Sequence, residues 1–236
     1  MIFNDYGQQV GQPLPDWAPR AALESTTLIG NYCSLVMLGP EHTEALYQAF
    51  SLAKDDSDWT WLGTQKPTSL KEMSDWIGHK SEDRGLVAYA VIDSKRQSAI
   101  GVICFSNIDA VNGTAEIGHV TWSRLMQRSV MGTEAIFLML NYAFALGYRR
   151  IAWRCDSTNV ASRSAAERVG FTFEGRFRQA MTRKQRNRDT DWLSVIDQEW
   201  PAINHALNAW LMPDNFTGEG KQKVKLSDFM PPRQPI

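Results

Sequence analysis

Eight residues joining a strand-like to a helix-like stretch, Gln127-Arg-Ser-Val-Met-Gly-Thr-Glu134, have the make-up of an anion site. They contain no proline, so each keeps its backbone N–H. Where a strand feeds such a loop into a helix, the free N–H groups converge at the helix N-terminus. The partial positive charge there adds to their hydrogen bonds, and the loop can hold a phosphate. Glu116 and His119 lie in the preceding strand. A carboxylate in mid-strand must face a cleft or be paired, and beside apolar walls its pKa would rise; a lone strand histidine is more often a hydrogen-bonded structural residue. Further on, Asp156-Ser-Thr-Asn159-Val-Ala-Ser162 follows a second strand, and Asn159 has the position of a helix N-cap.

The elements that must position these groups can be read from patterning. Ile29 to Leu38 reads as a first strand, and Pro40-Glu-His opens a helix to about residue 54. The loop from Asp55 to Lys66 carries Trp59 and Trp61, which fit a small satellite core or the lining of a pocket. Ser69 and Glu72 have capping-box spacing for a helix to about Ser81. Leu86 to Ile92 and Ala99 to Phe105 form an antiparallel hairpin, with Thr114 to Trp122 the next strand. From Gly132, Ala135, Leu138, Met139, Tyr142, Ala143 and Leu146 recur at helical spacing, and Gly147 stops that helix. Arg149 to Cys155 is a strand, and Val160 to Val169 a short helix ended by Gly170. Phe171 to Ala180 and Thr190 to Asp197 are strands joined by a basic turn; Gln198 to Leu211 is a helix broken by Pro201.

A chain of 236 residues with 43% hydrophobic residues can bury one sizeable core, and we expect one domain over 27–212. Residues 1–26, with Pro13, Pro15 and Pro19, read as an extended arm. Residues 213–236 read as a polar tail, disordered or docked on the surface. The net charge of −1 supplies no global field for nucleic acid or membrane lipid, so neither is an expected partner. Cys33, Cys104 and Cys155 lack disulfide or zinc spacing and read as reduced thiols; no metal is expected. With neither a basic-then-apolar leader nor a long apolar run, a cytoplasmic location is expected. The arm and the helix bearing Trp200 and Trp210 could pack on a second copy, as a homodimer.

Glu116-Ile-Gly118, the Gln127 to Ala135 segment, Asn159-x-x-Ser162 and Gly170-Phe171-x-x-Glu-Gly175 occur in one order at compact spacing. In this the chain resembles the GCN5-related N-acetyltransferases (GNAT) of the RimJ/RimL type, over roughly residues 28 to 200. The resemblance implies an α/β (α+β) fold of the acyl-CoA N-acyltransferase type, with a central mixed, mainly antiparallel sheet flanked by helices. It implies acetyl transfer from acetyl-CoA to a primary amine by direct attack, the amine being a protein N-terminus or a small molecule.

The same resemblance distributes roles. Gln127, Gly132 and Thr133 match the family's phosphate-loop pattern, so Gln127, Arg128, Ser129, Met131, Gly132 and Thr133 would hold the pyrophosphate. Val130 departs from the pattern, standing where a glycine is usual; a β-branched residue would be strained at positive φ. Val120 and Trp122 would offer main-chain groups to pantetheine, as a sheet edge does to a peptide. Glu116 ranks ahead of His119 as the base. Many relatives carry a proton-donating Tyr where this chain has Ala166; the RimL-like pair would serve instead, Asn159 orienting pantetheine or water and Ser162 hydrogen-bonding the thioester sulfur. The turn from Arg176 to Arg188 is either a solvated tip or the rim of an acceptor site. The alternative to an enzyme is a catalytically degenerate acyl-CoA-binding or protein-interaction module on the same fold. A dinucleotide or P-loop domain is excluded, since its glycine and lysine motifs are absent.

Overall fold

The computed structural model describes residues 1–232. A small hairpin, β1 (Ile2–Phe3) and β2 (Gln9–Val10), precedes the main body. There follow β3 (Leu28–Ile29), β4 (Cys33–Met37), α1 (Thr43–Ser51), α2 (Leu70–Ser81), β5 (Val87–Asp93), β6 (Ser98–Asp109) and β7 (Thr114–Trp122). The second half comprises α3 (Val130–Ala145), β8 (Arg150–Asp156), α4 (Val160–Arg168), β9 (Thr172–Arg183), β10 (Arg186–Ile196) and α5 (Trp200–Leu211). Eight strands form one sheet in the order β3-β4-β5-β6-β7-β8-β10-β9, antiparallel except where β7 meets β8.

Alternation along the strands supplies two cores. Tyr89 and Val91 of β5 join the α3 and α5 side, whereas Ala88 and Ala90 face Phe50 of α1 and Met73, Trp76 and Ile77 of α2. The α3 face at Ala135, Met139, Leu140 and Ala143 is buried on the first side, as its periodicity requires.

The feature that makes a site is the parting of β7 and β8. Their parallel ladder runs from Thr114↔Arg150 to Ile117↔Trp153 and stops there, although β7 continues to Trp122 and β8 to Asp156. The other edge of β7 shows why. Val102 pairs with Thr121 and Cys104 with Gly118, so Ile103 alone opposes both His119 and Val120. His119 takes φ +53° at this bulge, and a bulge bends its strand away from its neighbour.

Several boundaries differ from those expected. The strand read over Ile29 to Leu38 is two, β3 and β4, because the intervening backbone turns around a carboxylate: Glu134 accepts N–H bonds from Asn31, Tyr32 and Cys33 at 2.7, 2.7 and 2.8 Å. Pro201 sits at the first turn of α5, where its missing N–H costs nothing, so it starts that helix rather than breaking it. The basic turn is almost all strand. Only Lys184 and Gln185, at φ +47° and +60°, turn the β9–β10 hairpin.

The arm and the described part of the tail lie against the body. The arm buries Leu23, and its carbonyls at Ala21 and Glu24 accept the hydroxyls of Tyr148 and Tyr89. After α5 the chain returns through Phe216, which meets the Trp210 ring edge-on at 5.1 Å, and it buries Leu226. Trp200 stacks on Phe144 at 4.9 Å, so both α5 tryptophans pack within the chain.

Candidate active site

A cavity of about 1540 Å³ opens where β7 and β8 part. One end is the N-terminus of α3. Its first N–H groups, Val130, Met131 and Gly132, have no intrahelical acceptor by the geometry of a helix. No side chain caps them, because the Ser129 hydroxyl donates to the Met126 carbonyl at 2.7 Å. The positive φ of this loop falls on Arg128, at +58°, while Val130 is the first helical residue. The valine therefore carries no strain, and its departure from the glycine pattern is accommodated by a one-turn-longer helix than periodicity suggests. The residues present fit a pyrophosphate: uncapped N–H groups, a dipole end, and three cations lining this part of the cavity, Arg124, Arg128 and Arg168.

Gln127, Arg128, Ser129, Gly132 and Thr133 line the cavity, as do Val120 and Trp122. Met131 does not. Its side chain packs on the main core and its carbonyl lies 3.6 Å from the Cys33 sulfur, so only its N–H is available to a ligand. Gln127 accepts from Arg124 at 3.1 Å. Thr133 is buried and its hydroxyl accepts from Arg168 at 2.7 Å, while the Arg168 guanidinium lies over the Trp210 ring. Sequence reasoning missed Arg124, Arg168 and Lys221 of the returning tail; only the tertiary fold brings the last two to the cavity.

The other end holds the titratable groups. Glu116 is 7% exposed, pairs with Arg154 Nε at 2.5 Å and accepts from Asn107 at 2.9 Å. Burial pushes its carboxyl above the ordinary carboxylate range, against the opposing pull of Arg154 and Asn107. His119 lies open to the cavity, where Lys80 Nζ meets its Nδ1 at 3.1 Å. Confinement in the cleft, then the charges of Lys80 and Arg183, lower its pKa to about 4. An ammonium can only donate, so the ring is neutral with its proton on Nε2.

Asn159 caps α4, its Oδ1 accepting from the Ser162 N–H at 3.0 Å, and both residues line the cavity. The Ser162 hydroxyl accepts from the Trp153 indole at 3.1 Å, and its own proton is within hydrogen-bond reach of the Cys155 sulfur. Ala166 is fully buried, so no phenol stands in its place. The thiol of Cys155 is pushed up to about 11 by burial, and burial likewise raises Cys33 and Cys104; all three are free and buried. The two loop tryptophans divide: Trp59 packs with Phe50 and Trp76, whereas Trp61 lines the cavity and donates to Thr158 at 3.0 Å. The hairpin tip is tied over them, Arg183 donating to the Trp61 carbonyl at 3.1 Å and Lys184 to that of Trp59 at 2.7 Å.

Comparison with known proteins agrees with this geometry. Residues 34–172 match the acetyltransferase (GNAT) domain model. YdaF of Bacillus subtilis (strain 168), which carries a ribosomal N-acetyltransferase name, is 30% identical over 74% of this chain and 97% of its own. A solved GCN5-related N-acetyltransferase from Brucella melitensis is 42% identical, covering 92% of this chain and 99% of that one, with a TM-score of 0.89. A probable GNAT acetyltransferase from Chromobacterium violaceum ATCC 12472 is 37% identical, covering 83% and 98%, with a TM-score of 0.77. The parted strands, the uncapped helix and these matches together place the chain in the GNAT family of acetyltransferases, whose acetyl donor is acetyl-CoA.

Proposed function

We propose that this acetyltransferase acetylates a primary amine by direct attack, and that the amine is a protein N-terminus, as the ribosomal names of its relatives suggest. The observation that carries the reading is the opening of the uncapped α3 N-terminus, the unpaired edge of β7 and Glu116 onto one cavity. Acetyl-CoA supplies an activated thioester when bound. The N–H groups from Arg128 to Thr133, including that of Met131, hold its pyrophosphate, with Gln127 shaping the loop. The free main chain of Val120 and Trp122 aligns its amide arm.

Glu116 serves as the base. Its raised pKa and its place in the cavity support the role, whereas an imidazole with pKa near 4 is a poor proton acceptor from an ammonium. Ser162 offers its hydroxyl proton to the departing sulfur, and Asn159 holds the turn that aims it. Raised, buried thiols supply no thiolate for a covalent route, which favours direct attack. Strand and helix over 27–212 form the working unit, with the arm and tail bound to it, and we place its action in the cytoplasm. Among the described residues no helix is long and apolar enough to cross a membrane.

The test is calorimetric titration with acetyl-CoA, with Gly132→Asp as control, followed by mass spectrometry of acetyl transfer to peptides and to small amines. Binding abolished by the substitution, with transfer to peptide N-termini, is expected. No heat at several temperatures would refute the reading; transfer confined to small amines would refute the protein acceptor.

A further inference from the structure

Opposite the pyrophosphate end, the cavity holds three cations with no carboxylate within ion-pair distance among the described residues. Lys80 touches only the His119 ring and the face of Trp76. Arg183 spends one bond on the Trp61 carbonyl. Arg188, 7% exposed, has a buried Nε without a partner, and on the same face of β10 the Thr190 hydroxyl, 2% exposed, is unpartnered too. All four residues except Lys80 belong to the β9–β10 hairpin, and all four line the cavity. The nearby acids are engaged. Glu116 is paired with Arg154, Asp156 accepts from the N–H and hydroxyl of Thr158, Asp83 accepts from the Gly85 N–H, and Asp58 is paired with Arg124.

A buried guanidinium left unpaired costs several kcal/mol in general, and an unpartnered buried hydroxyl adds to that. A cleft of this sign also repels a plain ammonium. An amine that carries an anion close by removes both difficulties, because the anion meets the cations and the amine is left to Glu116. We propose that the acceptor bears an oxyanion, a carboxylate or a phosphate, within a few bonds of its amine, bound by Lys80, Arg183, Arg188 and Thr190. This inference rests on the acetyl-transfer reading of the cleft and narrows its substrate class.

Burial lowers the pKa of all three cations; at Arg188 the charge of Arg183 adds to this, while at Arg183 the pull of Asp156 opposes it and the charge of Arg154 adds to it. A bound oxyanion would raise all three.

The experiment has two arms, both on the full chain, after acetyl-CoA binding has been measured. In the first, acetyl-CoA-saturated protein is titrated with inorganic phosphate and with succinate, followed by the fluorescence of the cleft tryptophans. We expect saturable binding that weakens at least tenfold in Arg188→Met and in Lys80→Met, with acetyl-CoA affinity unchanged. Thermal stability of Arg188→Met should hold or rise, since an unpaired buried charge is removed. In the second arm, kcat/KM is compared between peptides beginning Ser-Glu and Ser-Gln, and between phosphoethanolamine and ethanolamine. A tenfold preference for the anionic member of either pair, lost in Arg188→Met, supports the site and identifies the anion's source. Equal rates within each pair, or anion binding indifferent to both substitutions, would overturn it. Absence of acetyl-CoA binding strikes the acetyl-transfer reading instead; the anion titration, run on the free protein and scored by its sensitivity to Arg188→Met, then decides the anion site alone.

Discussion

The Glu134 carboxylate joins the start of α3 to the N-terminal strands, and its removal should show how much the cavity depends on that joint. Glu134 is 2% exposed, Oε2 accepts from Tyr32 and Cys33, and Oε1 accepts from Asn31. Truncation to alanine leaves three N–H groups without an acceptor in a place water reaches poorly. At about 1–3 kcal/mol for each orphaned group, and allowing for relaxation, Glu134→Ala should cost about 4 kcal/mol. In a chain of this size that corresponds to a fall in Tm of about 8–16 °C. Gly30 supplies an internal check. A Cβ there would lie 2.5 Å from the Glu134 carboxyl carbon, while the Gly30 backbone is open to any residue. Gly30→Ala should therefore cost about 2–3 kcal/mol in the native chain by dislodging the carboxylate. It should cost almost nothing once Glu134 is alanine. Urea unfolding followed by tryptophan fluorescence, with an unchanged m-value, gives all four corners of the cycle. Costs that add to within about 0.5 kcal/mol, or a Glu134→Ala loss below about 1 kcal/mol, would show that the turn is solvated and the reasoning wrong.

Three further outcomes are expected. Because burial holds the Glu116 carboxyl above its ordinary 4.5, kcat/KM should rise with pH as that raised pKa is passed; Glu116→Gln should erase this limb, whereas His119→Ala should keep it, and pH–rate profiles decide. Ser162→Ala should lower kcat about 100-fold with little change in the KM for acetyl-CoA, and Ser162→Thr, which keeps a hydroxyl, should recover part of it; steady-state kinetics tests both. Asp191, fully buried, is held below 3.8 by hydrogen bonds from Arg176 and by Arg163, so its stabilisation is present above the unfolded value and lost as pH falls through the folded one. Asp191→Asn should cost about 2 kcal/mol at pH 7, reduced from the fully buried case because both arginines are partly exposed. Urea unfolding should show the deficit shrinking below pH 4.

What was legible in the sequence was what local periodicity encodes. The 3.6-residue repeat from Ala135 to Leu146 gave α3, and the alternation from Thr114 to Trp122 gave β7 with its bounds. Ser69 does accept from the Glu72 N–H, although the Glu72 carboxylate turns to the N–H of Thr68 in place of Ser69's. What misled was composition read without partners. Arg176, Arg183 and Arg188 read together as a solvated tip or an acceptor rim, yet they have separate fates: one pairs with Asp191, one ties the hairpin to Trp61 and one is buried. Nothing local in Glu134 announces that the N–H groups it accepts from lie about a hundred residues away, since a carboxylate in a first helical turn is ordinary.

The sequence by itself thus determined most elements of the main body, the order of the Gln127–Thr133 loop, Glu116 and the Asn159/Ser162 pair, and through them the family. Each is a matter of residues within one turn or one strand. The tertiary structure alone decided that β7 and β8 part after Ile117, that Arg128 takes the backbone conformation Val130 could not, that Arg168 meets the first turn of α3, and that the tail lines the same cavity. It alone decided that the hairpin brings Arg183 and Arg188, without ion pairs among the described residues, to the cavity. Bulges, burial and uncompensated charge are properties of neighbours distant in the chain, and they exist only once packing has chosen those neighbours.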